Sequence, residues 1–555
     1  MSAFEDFVQT EIPRRPTMLT QSITGFDGDP NSGSPPSIVA NAPKGSFFLR
    51  ETGFRLYKKN TSSSGSWQEV GAGAGGTTAP LTWFVETTGN DTTGDGSVGA
   101  PFATVGGALA KLRTLVGSTQ RINHLVDIVV GTGNFPGFLV QGWEMDPADN
   151  TLPCGIRISG TFVNATLPSG TPTGTFTAVT AGQSTTDVVY SVVEDNTQNW
   201  PVNGLRGLMI EVLTGTSATS VLPIIANTAT TITVPQNFAF GSVGGTYAIR
   251  DFGTVLNTTV PIAPSIPAKN AASQTPTPIH CTIGVFNTEV APANTEIRIE
   301  NFKLNATSAP SSANALSIQG EACTVARCFI GGNGTSPGAR VNVNGGIGNI
   351  AVAQSVINAP TSSVTAISST GTGSQNFSQN YIAAGSPVGS GTGGTGISIA
   401  GLAIINLLST VIDPHLFGIL ISGQSLISCS GVTVTSGGSQ CIRCRVIEGN
   451  SGGSFINASA LKLLNAAAST GLEIQGPAFA NITCLKVTGC ADAVTATRGG
   501  RIRTASLSTD LSGNTREITL DDLTNSQTLA GLRALGSVPL KVFTSQYASA
   551  FWEDV

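Results

Sequence analysis

The sequence LSIQG at 316–320 returns as VNVNG at 341–345, ISIAG at 397–401, ILISG at 419–423 and LEIQG at 472–476. In each copy apolar residues alternate with other residues, and a glycine follows. Weaker copies end at Gly371, Gly449 and Gly499, so that successive glycines are 22 to 30 residues apart. A self-similar period of this length is the signature of a solenoid.

The spacing inside each repeat indicates which solenoid this is. Alternating apolar residues predict strands, because successive side chains leave a strand on opposite faces. After each glycine comes a second run rich in β-formers, such as IAVAQSVINA at 350–359, and this leaves no room for a helix. The sequence therefore predicts an all-β fold, a parallel β-helix in which every repeat is one coil and its strands pair with neighbouring coils.

The composition suits an ordered β protein. Of the 555 residues, 67 are glycine and only 11% are charged, and the net charge is −5. This sparse charge predicts no nucleic-acid partner, and the lack of a long apolar run predicts no membrane insertion. The first residues, MSAFEDFVQTEIPRR, are acidic and have no apolar core, so we expect assembly in a reducing cytoplasm without a secretory signal.

Changes in pattern divide the chain into units. SFFLR and FRLYKK, within 46–59, predict a β-hairpin, and the repeat rhythm breaks between about 171 and 252, which predicts an inserted β-module. The predicted units are an extended arm at 1–45, a small β-hairpin module and linker at 46–80, a helix with the first coils at 81–170, the inserted β-module at 171–252, the main β-helix at 253–513 and a C-terminal segment at 514–555.

One helix is predicted ahead of the first coils. Pro101 suits the first turn of a helix, and four apolar residues recur on one face of it. These are Val105, Leu109, Leu112 and Val116. The loop before the helix, GNDTTGDGS at 89–97, lacks the spacing of a calcium loop and is interpreted as a structural turn. IRISG at 156–160 then repeats the coil pattern.

A strand, an Asn/Asp/Gly loop, a Pro-Phe-x-Thr start and one amphipathic helix resemble the opening of pectate-lyase-like right-handed β-helix proteins. With the unit GSFFLRETGFRLY at 45–57, the chain as a whole resembles tailspike and tail fibre proteins of tailed bacteriophages. The resemblance implies a homotrimer in the virion, an N-terminal region held by other virion proteins, a helix that caps the solenoid and a C-terminal segment that closes the trimer. It leaves open a contact with a host surface glycan.

In the β-helix depolymerases that such proteins resemble, paired Asp or Glu residues perform acid–base chemistry. Carboxylates are scarce in the coils, and the best pair by sequence is Glu448 and Glu473, about one coil apart. We name both as candidate catalytic residues, placed diagonally because Glu448 aligns with Gln475. The alternative is that they are solvated or interface carboxylates.

Two other acidic positions are weaker candidates for catalysis. Glu300 and Glu321 form a similar pair, 21 residues apart, and Asp413 stands in the sequence IDPH next to His415. Asp-Pro more often simply starts a turn.

Basic residues gather near the end of the repeat region. Such a patch could hold an acidic glycan or a lipopolysaccharide phosphate through charge-assisted hydrogen bonds. The alternative is ordinary outward-facing positions and salt bridges between subunits. The candidate ligand-binding residues are Arg443, Arg445, Arg498, Arg501 and Arg503.

Neither a metal nor a cofactor is predicted. Cys441-x-x-Cys444 has no second pair and no nearby histidine, and the three histidines of the chain lie far apart. The cysteines in apolar runs are expected to be buried thiols inside the coils rather than disulfides. They are Cys323, Cys328, Cys429 and Cys484.

Three functions remain as hypotheses. The first is a non-enzymatic virion spike or fibre that contacts the host surface, the second is a tailspike depolymerase (a polysaccharide hydrolase or lyase), and the third is a purely architectural head or baseplate spike. Scarce carboxylates and the lack of tryptophan between Trp200 and Trp552 favour the first over the second.

Overall fold

A computed structural model describes residues 22–23, 47–50, 55–59, 67–69, 79–116, 121–141, 143–145, 154–180, 190–215, 217–235, 243–257, 279–282, 295–305, 315–319, 323–331, 339–343, 350–359, 361, 363–370, 373–385, 388, 390, 393–445, 453–465, 470–483, 485–497, 500–504, 509–511, 513–521, 542–544 and 552–554. The chain divides into two compact units, 1–79 with 111–123 and 80–110 with 124–555. The second unit is organised around one 32-stranded sheet.

Four strands in the first unit form a small sheet: β1 (Ser22–Ile23), β2 (Phe47–Arg50), β3 (Arg55–Lys59) and β4 (Trp67–Glu69). β2 and β3 are antiparallel and form the hairpin that the sequence predicts, and β4 adds to β3. Apart from β1, the predicted arm at 1–45 lies outside the described residues.

Strand β5 (Leu81–Val85), a loop and helix α1 (Val105–Val116) come next. All four residues of the predicted apolar face are in the helix and are buried, but the helix begins at Val105, so that Pro101 lies ahead of its first turn and not in it. The Asp91 carboxylate accepts hydrogen bonds from the N–H of Ala103 (2.8 Å), the N–H of Thr104 (3.0 Å) and the Thr104 hydroxyl (2.7 Å). Because a helix start leaves N–H groups unpaired, the loop is explained by this structural task.

Three successive strands make one coil, and each pairs in parallel with its equivalent in the next coil. The strands that precede and follow the inserted module are β6 (Arg121–Ile122), β7 (Leu125–Val130), β8 (Gly133–Pro136), β9 (Phe138–Gln141), β10 (Glu144–Met145), β11 (Cys154–Ser159), β21 (Thr254–Asn257), β22 (Ile279–Thr282), β23 (Thr295–Glu300), β24 (Lys303–Asn305), β25 (Leu316–Gln319), β26 (Cys323–Ala326), β27 (Phe329–Gly331), β28 (Ala339–Val343), β29 (Ile350–Ala353), β30 (Val356–Ala359), β31 (Thr365–Ser369), β32 (Ser374–Ser378), β33 (Tyr381–Ala384), β34 (Gly393–Gly401), β35 (Ile404–Leu408), β36 (Val411–Gly423), β37 (Leu426–Arg445), β38 (Phe455–Asn465), β39 (Thr470–Gln475), β40 (Phe479–Ile482), β41 (Leu485–Thr488), β42 (Asp492–Thr497), β43 (Arg501–Thr504), β44 (Thr509–Asp510), β45 (Arg516–Asp521), β46 (Val542–Thr544) and β47 (Trp552–Asp554).

Because each strand pairs with its equivalent in the next coil, the solenoid has three parallel sheets, which we call the first, the second and the third sheet. β23 pairs with β26 in the first sheet, β24 with β27 in the second, and β25 with β28 in the third. Later strands run through the corners of a coil, so that β36 belongs to the second and third sheets and β37 to all three. The predicted parallel β-helix is confirmed.

Inward side chains form continuous apolar columns inside the coils. One column of the first sheet consists of Ile156, Ile297, Cys323, Ile350, Gln375, Ile405, Ile427, Ile456, Ala480 and Ile502, all of them buried. Cys323, Cys328 and Cys429 are free, buried thiols as expected, and burial raises the pKa of Cys328 and of Cys429 to about 12. Cys484 lies outside the described residues.

The quoted repeat copies stack on one another in the third sheet. Leu316 pairs with Val341 and Ile397 with Ile419, in agreement with the glycine steps of the sequence. IRISG, in contrast, belongs to β11 of the first sheet. The sequence pattern therefore predicts a strand of a coil at this position, but it does not predict to which of the three sheets the strand belongs.

The predicted register is wrong at the two weak copies nearest the C-terminal end. For the copy at Gly449 the predicted step is 26 residues, but Ile421 pairs with Cys444, a step of 23. For the last copy Gln475 pairs with Thr497, a step of 22 rather than 23. A glycine in the sequence is a turn signal, so the spacing of glycines need not equal the register step between coils.

A module of two antiparallel sheets interrupts the second coil between its first and second strands. Its first strand begins at Phe162, ahead of the boundary at 171 that the sequence predicts. The strands are β12 (Phe162–Asn164), β13 (Thr173–Thr175), β14 (Ala178–Thr180), β15 (Ser191–Glu194), β16 (Met209–Val212), β17 (Val221–Pro223), β18 (Ala226–Asn227), β19 (Thr231–Val234) and β20 (Thr246–Phe252). The chain returns beside its exit, where the N–H of Gly253 donates to the carbonyl of Thr161 at 2.8 Å.

The inserted module packs against the outer face of the second sheet. From the coils, Phe329, Val356, Tyr381 and Val411 stand in one outward column. They share a buried apolar cluster with module residues that include Met209, Val221, Ile225 and Phe252. We call this junction the seam.

The narrow corner between the second and third sheets gives a stability prediction. A Cβ on Gly418 would lie 2.0 Å from Val434 Cγ1 and 2.5 Å from the backbone oxygen of Cys441. We therefore expect Gly418→Ala to lower the free energy of unfolding by about 1–3 kcal/mol, because overpacking forces the backbone to move. Thermal unfolding measures the loss, and Gly99→Ala, where a Cβ meets open space, is the matched control. Equal melting temperatures for the two variants would contradict the packing described for this corner.

Candidate functional site

Glu473, one of the two predicted catalytic residues, lies on the outer face of the third sheet. Its side chain is only 8% exposed and accepts hydrogen bonds from the amides of Gln440 and Gln475. Arg443 Nε lies 3.6 Å from Glu473 Oε2. This carboxylate is occupied by three neighbours from its own protein and is poorly placed to meet a substrate.

Glu448, the other predicted catalytic residue, lies outside the described residues. The predicted alignment of Glu448 with Gln475 is wrong, because the register partner of Gln475 is Arg445. The partner of Glu473 is Arg443, so a cation rather than a carboxylate stands beside it on the preceding coil.

The predicted basic patch is divided by the backbone between two sheets. Arg443 and Arg445 are on the third sheet, whereas Arg501 and Arg503 are on the first sheet, next to β40. Arg498 lies outside the described residues. Arg443 is the member with a described side chain, and that side chain faces Glu473.

Glu300 is held by cations on the first sheet. Its Oε2 lies 2.8 Å from Arg298 Nε and 2.5 Å from an Arg327 guanidinium nitrogen, and Ser159 Oγ donates to Oε1 at 3.2 Å. Burial by itself would raise the pKa of Glu300, but the bond from Arg298 and the charge of Arg327 hold this pKa below its usual value. Its predicted partner, Glu321, lies outside the described residues.

Asp413, the remaining acidic candidate from the sequence, lies at the seam and is not held by a salt bridge like that of Glu300. The Asp-Pro step does not start a turn: β36 continues, with register shifts on either side of His415. Asp413 is half-buried and faces outward beside Tyr381, whose hydroxyl donates to Asp413 Oδ2 at 3.5 Å.

The inserted module brings two more polar side chains to Asp413. Burial raises the pKa of Asp413 above its usual value, although the charge of Arg206 and the hydroxyls of Tyr381 and Thr435 oppose this shift. Burial and then the charge of Asp413 raise the pKa of Tyr381 well above its ordinary value. Burial also raises the pKa of Tyr190, with a smaller contribution from Asp413. The seam therefore combines one carboxyl, two phenols and one guanidinium.

His415 does not form an acid–base pair with Asp413 in this arrangement. Its side chain is fully buried, and burial lowers the pKa of His415 to about 4, so the imidazole is neutral at neutral pH. The groups that shift the pKa of Asp413 are Arg206, Tyr381 and Thr435. His415 is not among them, and neither is a second carboxylate.

Chemically, the seam offers the carboxyl of Asp413 as one weak acid, and not a pair of carboxyls. A carboxyl with a raised pKa keeps its proton to a higher pH than an ordinary carboxyl does, which is a property that a general acid needs. Hydrolysis of a glycosidic bond by the common mechanism requires a second carboxyl, and the described groups that shift the pKa of Asp413 do not include one. Among the described residues no cluster of His, Cys, Asp and Glu could hold a metal ion, and no described helix is long and apolar enough to cross a membrane.

Sequence reasoning named Asp413 but missed Tyr190 and Arg206. Both come from the inserted module, about 200 residues ahead of Asp413. No local motif links segments so far apart, and only the docking of the module brings them together. The sequence pattern does not connect Tyr381 with Asp413 either, although both residues belong to the repeat region.

Comparisons with known proteins give only distant likenesses. No protein-family model matches the chain, and no curated protein matches it. A solved glycoside hydrolase is 10% identical, covering 79% of this chain and 95% of that one, with a TM-score of 0.28. The complex of XylC with xylose is 10% identical, covering 73% and 70%, with a TM-score of 0.23. A tailspike of Acinetobacter baumannii bacteriophage AP22, in complex with A. baumannii capsular saccharide, is 12% identical, covering 77% and 71%, with a TM-score of 0.17. At such TM-scores, function must be argued from the residues of this chain.

Glu300 and Asp413, whose pKa values are shifted in opposite directions, give a pH prediction. Glu300 has a lowered pKa, so it stabilises the fold above the ordinary carboxyl pKa of about 4 and loses this effect as the pH falls. Asp413 has a raised pKa, so its contribution is present at low pH and is lost as the pH rises through its folded-state pKa.

We therefore expect Glu300→Gln to lower the free energy of unfolding at neutral pH by about 1–3 kcal/mol, because charged hydrogen bonds are lost. Asp413→Asn removes this pH-dependent cost, so its melting temperature should equal or exceed that of the native chain at neutral pH, and the difference should shrink as the pH falls and the Asp413 carboxyl is protonated. Calorimetry of the native chain and both variants across a pH series measures this. A loss of stability at neutral pH in Asp413→Asn as large as in Glu300→Gln would contradict the assignment of the seam.

Proposed function

We propose that this chain is a spike or fibre protein of a tailed-phage particle, and that the solenoid contacts the host cell surface without cleaving it. The observation that carries the non-enzymatic half is the state of the carboxylates. Glu300 and Glu473 are engaged by arginines and amides of the chain itself, and Asp413 has no second carboxylate among the groups that shift its pKa.

The virion part of the proposal is supported by the sequence resemblance and by the confirmed parallel β-helix. On this view the region ahead of the solenoid, with its four-stranded sheet, attaches to other virion proteins. The chains assemble as a homotrimer, in which the C-terminal segment at 514–555 closes the assembly. The alternative is a purely architectural spike of the head or baseplate, which would have the same fold and assembly but would bind no ligand on the host surface.

A second function, a polysaccharide depolymerase, is favoured by one observation at the seam. Asp413 has a raised pKa and stands beside Tyr381, Tyr190 and Arg206, which is the kind of perturbed polar group found at catalytic sites. If the protein cleaves glycan, Asp413 is the residue that we expect to transfer the proton.

One experiment separates these functions. The purified full chain is incubated with a panel of bacterial capsular polysaccharides and lipopolysaccharides, and binding, new reducing ends and the ultraviolet absorbance of unsaturated sugars are recorded. We expect binding without new ends or unsaturated products, because Glu300 and Glu473, the two candidate carboxylates of the first and third sheets that the structure describes, are engaged by arginines and amides of the chain itself.

Asp413→Asn is the test variant, and Asp95→Asn is the control, since Asp95 is an exposed loop residue away from the seam. Cleavage that disappears only in Asp413→Asn would replace the proposed function with a depolymerase. A chain that neither binds nor cleaves any member of the panel would leave an architectural spike.

A further inference from the structure

The exposed large apolar side chains of the solenoid lie together on the outer face of the first sheet. Among the described coil residues they are Leu402, Ile404, Leu408 and Leu426, with exposed fractions from 42% to 56%. Leu402 is in the turn that leads into β35, and Ile404 and Leu408 are the two ends of this strand. Leu426 is the register partner of Ile404 on the next coil. Single exposed apolar residues are ordinary, but a group on two adjacent coils indicates an interaction surface.

This group continues along the sheet as aromatic side chains. By register Leu426 is followed by Phe455 and then by Phe479. The two rings are half-buried and stack on each other, with centroids 5.2 Å apart. We call the four exposed residues and these two phenylalanines the apolar patch. It is more than one side chain wide at β35 and extends over four coils, and a broad apolar area with polar residues beside it has the form of a protein interface.

A column of small and amide side chains runs beside the apolar patch and carries no charge. Each member is the register partner of the next, and the column is bounded by Arg298 at one end and Arg503 at the other. We call it the neutral column, and its members are Thr324, Ala351, Asn376, Asn406, Ser428, Asn457 and Asn481. Asn376 and Asn457 are exposed, and Asn481 Nδ2 donates to Asn457 Oδ1 at 3.2 Å.

The outer faces of the other two sheets are less suited to a protein contact. The second sheet is covered by the inserted module at the seam. The third sheet carries Arg443 and Glu473, which face each other. Within the part of the chain that the structure describes, neither of these sheets leaves a large apolar side chain exposed.

The chemistry of the first sheet favours a second copy of this chain as the occupant. When parallel copies meet around an axis that runs along the solenoid, residues at one height face their own counterparts. A charged residue would then meet a like charge, which is unfavourable. An amide has both donors and an acceptor, so it can bond to another amide, and apolar side chains pack against their own kind. The neutral column and the apolar patch are therefore both self-complementary.

We propose that the outer face of the first sheet, from the coil of Asn376 to the coil of Asn481, is the contact between parallel copies of this chain. The proposal rests on the proposed function, because the homotrimer assigned there does not by itself specify which face joins the copies. In this arrangement the neutral column lies nearest the axis, and the apolar patch packs against the neighbouring copy.

The charged end of the face is compatible with this contact. By register the apolar patch is followed by Arg501 and the neutral column by Arg503. The partner of Arg503 on the next strand is Glu553. Residues of opposite charge therefore stand one coil step apart, ~4.8 Å, and this limits the repulsion between the arginines of neighbouring copies.

Cross-linking of one exposed position to its own counterpart tests the face. Asn457→Cys places a thiol in the neutral column, and Thr488→Cys, at the exposed end of β41 in the second sheet, is the matched control. The full-length native chain and both variants are treated with a short bismaleimide and separated on a denaturing gel. We expect about tenfold more linked product from Asn457→Cys than from the control, because its thiols are held at a high effective concentration.

A like charge in the apolar patch tests the same face without a new thiol. Leu426→Glu sets a negative charge of each copy against that of its neighbours, and Val202→Glu, at a module side chain that is 70% exposed, is the control. We expect Leu426→Glu to associate about tenfold more weakly, and the control to associate like the native chain. Light scattering measures the mass of each assembly, and circular dichroism records whether both variants keep the native β structure.

The outcomes separate this face from the proposed function. If the native chain is an oligomer but Asn457→Cys links no better than Thr488→Cys, another face joins the copies and the proposed function stands. If the native chain is a single chain in solution, the homotrimer of the proposed function fails together with this face. If Leu426→Glu leaves the assembly intact and abolishes binding to a host polysaccharide, the face belongs to the host ligand and not to a second copy.

Discussion

Each strand of the solenoid depends on the neighbouring coils for its backbone hydrogen bonds, and the rest of the structure follows from this constraint. A strand of an isolated coil would leave its N–H and C=O groups unpaired, which is costly wherever they are buried. The inward columns hold the coils in register, because a slip of one residue would turn every apolar side chain outward. Close corners such as Gly418 follow from the same stacking. This is why apolar alternation and glycine dominate a sequence with so few charges.

Because the inward side chains are needed for packing, binding or catalysis must depend on the outward side chains. The outer faces of the three sheets differ from one another. The second sheet is covered by the inserted module, whose docking creates the polar seam around Asp413. The third sheet carries Glu473, whose carboxylate is engaged by Arg443 and by the amides of Gln440 and Gln475. The first sheet leaves Ile404, Leu426 and Asn457 exposed to solvent. A solenoid can alter one face without disturbing the others, since the faces share only the buried columns.

The sequence predicted most of the fold because strand alternation and a spaced glycine are local signals that every coil repeats. It failed where a non-local term decided: the copy that ends at Gly449 fits the pattern, but the backbone register pairs Ile421 with Cys444. Gln375 stands in an apolar column with no described hydrogen-bond partner for its amide, and no pattern predicts this. Of the seam, the sequence could supply Asp413 but not Arg206, because only tertiary docking brings the module to it.

The most direct test of this account is a distance along one outward column of the first sheet, in which Asn406, Ser428, Asn457 and Asn481 are successive register partners. Asn376 continues this column one coil before Asn406, so residues 376 and 481 are four coil steps apart, or ~19 Å at the spacing of paired strands. Spin-labelled amino acids at both positions, diluted into unlabelled protein to isolate distances within one chain, allow a pulsed electron paramagnetic resonance measurement. The account predicts one narrow distribution near this value. A broad distribution, or one centred at a much longer distance, would contradict the stacked register on which the seam depends.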